Sequence, residues 1–292
     1  MRRLAHISDL HFGRTDPLVV EGLVRELADE RPDLIVISGD FTMKARRREY
    51  EAAHAFLQRL TSPWIAVPGN HDISPYRLVQ RFLDPFRRYR RFIHPDPEPV
   101  FVDDEIAVVC LNTARRFAWE TNWSHGSISR DQIGRAEALL DSLPPGLFRI
   151  VVGHHPFLPP PWDPEARLVG RADLALAAFS RHGVRLALAG HLHRAYSRFA
   201  KAGDAVAGEL DTVDAEGAAT GRRLLVVQAG SATSTRLRGN EPNAYNRITV
   251  ENGRALVEVR LWTGTGWVSA AEERPGAAKD TPDGAAELAS AI

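Results

Sequence analysis

Short apolar, β-branched runs recur along the chain, separated by longer stretches in which apolar residues return every three or four positions. Runs of the first kind read as buried strands, and stretches of the second kind as helices that bury one face. Strands are expected at residues 4–8, 34–38, 64–67, 106–111, 149–152, 186–189, 224–228, 247–251 and 256–262. Between the first two, Val20, Leu23, Val24 and Leu27 recur at helical spacing and Pro32 supplies the stop, which predicts a helix over 18–31. A second helix is expected over 48–60. The intervals from Asp9 to Asp40 and from Asp40 to Asn70 each match one strand-helix-strand unit, so the pattern is that of an α/β protein. The second half shifts toward consecutive strands and closes in a hairpin through Glu251, Asn252, Gly253 and Arg254.

Three segments depart from this pattern. Residues 200–222 are rich in Gly, Ala, Asp and Glu and read as an exposed excursion between two strands. Residues 269–292 read as a mobile tail after a single domain of residues 1–268. Residues 156–164 hold five prolines around Trp162 and predict a stiff, irregular loop.

Composition narrows the classes. The 292 residues carry 37 Lys plus Arg against 37 Asp plus Glu, a net charge of zero that gives no general pull toward nucleic acid or an anionic membrane. No apolar run approaches the roughly 18 residues a membrane span needs. After Met1-Arg2-Arg3 the chain soon reaches Ser8-Asp9, where a signal peptide would need its apolar region, so a cytoplasmic location is expected. The single cysteine, Cys110, lies in the run Ala107-Val108-Val109-Cys110-Leu111, which excludes an intrachain disulfide and predicts a buried, unreactive thiol.

The chemistry collects at the ends of expected strands, where open α/β sheets bind their ligands. Five strands are followed by Asp9-Leu10-His11, Gly39-Asp40, Gly69-Asn70-His71-Asp72, Gly153-His154-His155-Pro156 and Gly190-His191-Leu192-His193. Taken singly, the first three read equally well as turns, with the carboxylates bonding nearby backbone amides. Together they hold six of the eleven histidines, all at strand ends, a coincidence that turn chemistry does not require. Carboxylates, imidazoles and one carboxamide without thiolates suit manganese, iron or zinc. Seven side chains exceed the needs of one tetrahedral ion and fit two divalent ions that share a carboxylate.

In order and spacing, these blocks resemble the signature of the calcineurin-like metallophosphoesterases. The resemblance spans residues 4 to about 197 and implies a four-layer α/β/β/α sandwich of two packed mixed β-sheets flanked by helices. Carried over by position, it implies that Asp9, His11, Asp40 and His193 hold one ion and that Asp40, Asn70, His154 and His191 hold the other, with Asp40 as the bridge. The implied reaction is attack of a metal-bridging hydroxide on phosphorus. His71 would be the general acid, Asp72 would fix its tautomer, and His11, Asn70, His71 and His193 would contact the substrate phosphate.

Many relatives continue the second block as Gly-Asp-x-x-Asp, whereas this chain reads Gly39-Asp40-Phe41-Thr42-Met43. That form resembles the branch containing class III cyclic-nucleotide phosphodiesterases. The lipid A precursor hydrolases typically carry Arg at the position of His71, and the Gly-Asp-x-Val-Asp-Arg-Gly of protein phosphatases is absent. The expected substrate is a small phosphodiester such as a 3′,5′-cyclic nucleotide, with no nucleic-acid partner; whether the chain forms a homodimer stays open. Two other readings also stay open, a DNA exonuclease of the same superfamily and a non-catalytic scaffold that keeps the fold.

Overall fold

The computed structural model describes residues 1–115, 124–200, 224–237 and 241–271. Its elements in chain order are β1 (Arg2–Ile7), α1 (Pro17–Glu30), β2 (Leu34–Ile37), α2 (Arg47–Leu57), β3 (Trp64–Ala66), α3 (Leu78–Leu83), α4 (Arg87–Phe92), β4 (Val100–Val102), β5 (Ile106–Cys110), α5 (Arg130–Ser142), β6 (Phe148–Val152), α6 (Ala172–Arg181), β7 (Val184–Ala189), β8 (Tyr196–Phe199), β9 (Leu225–Gln228), β10 (Ala244–Glu251), β11 (Arg254–Trp262) and β12 (Trp267–Ser269). One sheet runs β12-β11-β10-β1-β2-β3 and the other β4-β5-β6-β7-β9-β8. Within them β1, β2 and β3 are parallel, as are β5, β6, β7 and β9, so each sheet delivers a set of carboxyl ends to one edge.

Alternation along the strands builds the layers. In β1, Ala5 and Ile7 face α1 and α2 in one core, while Leu4 joins Leu34, Val36, Ile150, Leu188 and Ile248 in the core between the sheets. A third core packs α5 and α6 against the other face of the second sheet. The result is the α/β/β/α sandwich, assembled from three apolar seams. Each fully buried Leu, Ile or Val in these seams contributes roughly 1.5–3 kcal/mol.

The nine expected strands are all present, and three more occur at sheet edges: β4, β8 and β12. These have three or four residues and are defined by antiparallel pairing to one neighbour more than by an apolar pattern of their own. Because β12 pairs through Ser269 with Arg260, ordered structure passes the expected domain end at residue 268. Helix α1 starts one residue early, at Pro17, because the Asp16 carboxylate accepts the N–H of Leu18 at 2.9 Å. It stops at Glu30 because Arg31 turns into the left-handed region at φ 47°.

Residues 156–164 contain no helix or strand, as their prolines require. They are tied down: Tyr196 donates to the Leu158 carbonyl at 2.6 Å, Arg198 to the Pro159 carbonyl at 2.7 Å, and the Arg194 guanidinium lies 4.1 Å from the Trp162 ring centre. This segment is a fixed wall. Cys110 is buried, and burial pushes its thiol pKa far up, as an inert core cysteine requires. The excursion expected at 200–222 and the tail from 272 onward lie outside the described residues, Ala200 excepted. Among the described residues, no helix is long and apolar enough to cross a membrane.

Candidate metal centre

The carboxyl ends of β1, β2, β3, β6 and β7 meet where the two sheets face each other. The chain after β1 runs beside the chain after β2, with Asp9 N–H donating to the Gly39 carbonyl at 3.1 Å and His11 N–H to the Asp40 carbonyl at 2.9 Å. Across the sheets, His191 N–H donates to Asp9 Oδ2 at 2.8 Å, and within the first sheet His71 N–H donates to Asp40 Oδ1 at 2.8 Å. Each carboxylate thus spends one oxygen on backbone amides and turns the other inward.

Turning so many side chains to one point strains the backbone. Asp9, His11, Asp40, His191 and His193 have φ between 51° and 78°, five of the nine non-glycine residues with positive φ among the described residues. Non-glycine residues in that region cost roughly 1–3 kcal/mol each and persist only where the surroundings hold them. Glycines supply the close approaches: a Cβ on Gly69 would overlap Asp40, and one on Gly190 would overlap Ser8.

The imidazoles are aimed by backbone carbonyls. His154 Nδ1 donates to Ser38 O at 2.7 Å, His193 Nδ1 to Arg236 O at 2.9 Å, and His11 Nδ1 to Thr42 O at 3.4 Å. A proton on Nδ1 leaves the Nε2 lone pair pointing inward, the state a metal ligand needs. His11 Nε2 and His193 Nε2 lie 3.1 Å apart, both facing Asp9 Oδ1 at 3.5 and 3.2 Å. On the other side Asn70 Oδ1 sits 3.2 Å from His154 Nε2 and 3.0 Å from His191 Nδ1. Asp40 Oδ2 lies between, 3.3 Å from His154 Nε2 and 3.7 Å from His11 Nε2. Asp9, His11 and His193 form one group able to hold a metal ion, and Asp9, Asp40 and His154 another.

The donor set fits cations. Asp9 Oδ1 is buried and accepts no hydrogen bond, an arrangement costly for a carboxylate oxygen unless positive charge faces it. The electrostatics agree. Burial alone would raise Asp9 and Asp40, yet His193 and His11 around Asp9, and His154 and His71 around Asp40, hold both carboxyls below their ordinary range. Burial would lower His154, but Asp40 and Asp9 hold it at about 9. Burial and the neighbouring His154 push His191 down to about 3.

His155 forms a third group able to hold a metal ion with His154 and His191, but its nitrogens are engaged elsewhere. It packs beside His154 and His191, but its Nδ1 accepts from the Thr113 hydroxyl at 2.7 Å and its Nε2 donates to Ser124 O at 2.8 Å, so both ring nitrogens are spent. His71 stands at the rim, with Nδ1 donating to Met43 O at 2.7 Å and Nε2 accepting from Arg236 Nη1 at 3.2 Å.

Asp72 corrects an expectation. It does not hold the His71 ring. The Asn70–Asp72 segment is one turn of 3-10 helix, which points consecutive side chains apart. The Asp72 carboxylate accepts instead from the amides of Gly69 at 2.9 Å, Thr42 at 3.0 Å and Phe41 at 3.2 Å, tying the loop after β2 to the loop after β3. Met43 O is the group that fixes the tautomer of His71.

Several supporting residues carry no motif. Ser231 Oγ donates to Asp9 O and Thr233 Oγ1 to Leu10 O, each at 2.8 Å, so these two side chains clamp the Asp9–His11 turn. Thr42 holds His11 through its carbonyl, a role open to any residue type and therefore silent in sequence. Asn112 caps its own turn, its Oδ1 accepting from Ala114 N–H at 3.1 Å.

Comparison with known proteins agrees with this geometry. The family model described as calcineurin-like phosphoesterase matches residues 2–195. A glycerophosphodiester phosphodiesterase, GpdQ, of Enterobacter lignolyticus is 30% identical over 209 residues, covering 65% of this chain and 70% of the relative. A probable cyclic nucleotide phosphodiesterase of Synechococcus is 27% identical over 206 residues, 66% of this chain and 74% of the relative. Among solved structures, a purple acid phosphatase from yellow lupin superposes with a TM-score of 0.66 at 12% identity, covering 92% of this chain and 52% of that chain; at that identity it speaks for the fold alone. The chain belongs to the calcineurin-like phosphoesterases, metal-dependent hydrolases of phosphoesters, and is similar to their class III phosphodiesterase branch.

Proposed function

We propose that this protein is a dinuclear metal-dependent phosphodiesterase acting on a small diester, with 3′,5′-cyclic nucleotides as the leading substrate class. One observation carries the reading: Asp40 Oδ2 faces His154 Nε2 on one side and His11 Nε2 on the other, so a single carboxylate oxygen is shared by two clusters of lone pairs. On this reading Asp9, His11, Asp40 and His193 hold one divalent ion, and Asp40, Asn70, His154 and His191 hold the other. Two such ions supply an activated water nucleophile and offset charge on the phosphoryl oxygens.

The chain's own residues do the rest. His71, fixed through Nδ1 by Met43 O, presents Nε2 at the rim; carrying a second proton taken from water at that atom, it passes this proton to the leaving oxygen, worth roughly 10²–10⁴ in rate. His11, Asn70 and His193 border the space that the phosphoryl group enters. The pinned 156–164 segment walls one flank, with Trp162 over Arg194, the neighbour of His193 in the chain. The GpdQ relative is named for hydrolysis of a glycerophosphodiester, a small diester of the same class.

The test is a screen of the manganese-loaded protein against bis-p-nitrophenyl phosphate, p-nitrophenyl phosphate, cyclic AMP, cyclic GMP and a glycerophosphodiester. Diester hydrolysis well above monoester hydrolysis is expected, and a preference for the monoester overturns the reading. Manganese-dependent degradation of single- or double-stranded DNA in preference to small diesters would favour an exonuclease instead.

A further inference from the structure

Beyond the motif residues, one cation reaches the rim of the site. Arg236 lies in the segment after β9, and its Nη1 donates to His71 Nε2 at 3.2 Å. The same residue's carbonyl accepts from His193 Nδ1 at 2.9 Å, so its backbone is locked beside one candidate ligand while its side chain extends to the proposed general acid. The segment is well anchored. Thr235 N–H donates to Arg14 O at 2.7 Å, Arg236 N–H to Ser234 Oγ at 3.0 Å, and Asn243 Nδ2 to the carbonyls of Ser231 and Ser234 at 3.1 and 3.0 Å. Ser231, Thr233 and Ser234 are fully buried, whereas the Arg236 side chain is exposed.

Arg236 is also underused. Among the described residues no carboxylate pairs with its guanidinium, in contrast to Arg194, which has Glu241 at 2.7 Å. A guanidinium carries five N–H donors in a planar fork that matches a phosphate edge, and a charged phosphoryl oxygen is a stronger acceptor than a neutral imidazole nitrogen. We propose that Arg236 binds the non-bridging oxygens of the substrate's phosphodiester group, and that its contact with His71 is the position it takes before substrate arrives. Transfer of the guanidinium to phosphate frees the His71 Nε2 lone pair to take up a proton from water, which it then gives to the leaving oxygen. This rests on the phosphodiesterase reading and adds a protein-borne positive charge at the phosphoryl group.

The experiment compares wild-type, Arg236→Ala and Arg236→Lys proteins loaded with manganese. It measures metal per chain, Tm, kcat and KM for bis-p-nitrophenyl phosphate, and the Kd of inorganic phosphate by calorimetry. Because His193 uses only the backbone carbonyl, Arg236→Ala should keep its metal and its Tm. It should lose about 10- to 100-fold in kcat/KM and bind phosphate at least about tenfold more weakly, with partial rescue by added guanidinium ion. Lys should restore part of the phosphate affinity, since it keeps the charge but not the fork. Unchanged phosphate affinity and kcat/KM in Arg236→Ala would overturn the inference, and so would loss of metal with unaltered turnover per bound ion. A wild-type protein that cleaves no diester refutes the phosphodiesterase reading instead, while the phosphate titration still decides whether Arg236 is an anion contact.

Discussion

Gly39→Ala is the substitution whose consequences are best worked from the structure. Gly39 has φ +97°, and a Cβ there would lie 2.7 Å from His154 Nδ1 and 2.8 Å from Gly69 N. Ordinary contact begins at 3.4 Å, so His154 would have to retreat by about 0.7 Å. Metal sites tolerate displacements of roughly 0.2 Å. The movement also loosens the Nδ1 bond to Ser38 O that fixes the ring, a second cost of about 1 kcal/mol beside roughly 2 kcal/mol of backbone strain. A fall in Tm on the order of 5–10 °C follows. The sharper consequence is selective: the ion associated with His154 should bind roughly 10- to 100-fold more weakly, while the one associated with Asp9, His11 and His193 should be less affected. Manganese titration by calorimetry, with metal content by mass spectrometry, separates the two. Gly134→Ala is the matched control, since a Cβ there meets nothing within 4 Å in the middle of α5, and it should be neutral or slightly stabilising. Wild-type metal content and Tm in Gly39→Ala would refute the claim that this glycine sets the position of His154.

Other consequences can be checked separately. His71→Ala should cut kcat for diesters by roughly 10²–10⁴ with metal content unchanged, and loss of metal would make it a ligand instead. Asp40→Ala should weaken both ions together, and full occupancy of one of them would argue against a shared carboxylate. Asp72→Asn should disturb the loops after β2 and β3 and lower Tm more than it alters kcat for diesters, because its carboxylate binds the amides of Gly69, Thr42 and Phe41. His6, buried between the sheets against Ser38 and Asn246, is held neutral down to about pH 3 by burial, whereas in the unfolded chain it protonates near its ordinary value of 6.5. The unfolded state therefore takes up the extra proton, and the stability due to neutral His6 is complete above about pH 6.5 and lost as pH falls toward 3. His6→Gln should flatten the acid slope of stability by roughly 1.4 kcal/mol per pH unit in that window, read from urea melts; an unchanged slope would contradict it.

Most of the centre is legible because its candidate ligands are side chains at fixed offsets from strands. Asp9, His11, Asp40, Asn70, His154, His191 and His193 each follow an apolar run, and the structure brings all seven together. What was not legible is held by backbone. Thr42, Met43, Ser38 and Arg236 orient four imidazoles through carbonyls that every residue possesses. Asp72 departs from its expected place because adjacency in sequence is not contact: one turn of 3-10 helix separates neighbouring side chains. In the fold, α5 carried a readable signal in Ser129 and Gln132, which cap each other reciprocally at 3.0 and 2.9 Å. The edge strands β4, β8 and β12 carried less, since their form depends on a neighbour supplied from elsewhere in the chain.

The central claim is that two ions share the Asp40 carboxylate and that diester hydrolysis depends on them. Its most direct test is one preparation carried through purification, chelation and manganese repletion, with metal per chain and cyclic-nucleotide and bis-p-nitrophenyl phosphate turnover measured at each stage. The account predicts close to two transition-metal ions per chain at full activity, turnover lost on chelation, and recovery in step with the return of both ions. Full diester hydrolysis by the metal-free protein, or activity saturating at a single ion per chain, would contradict it.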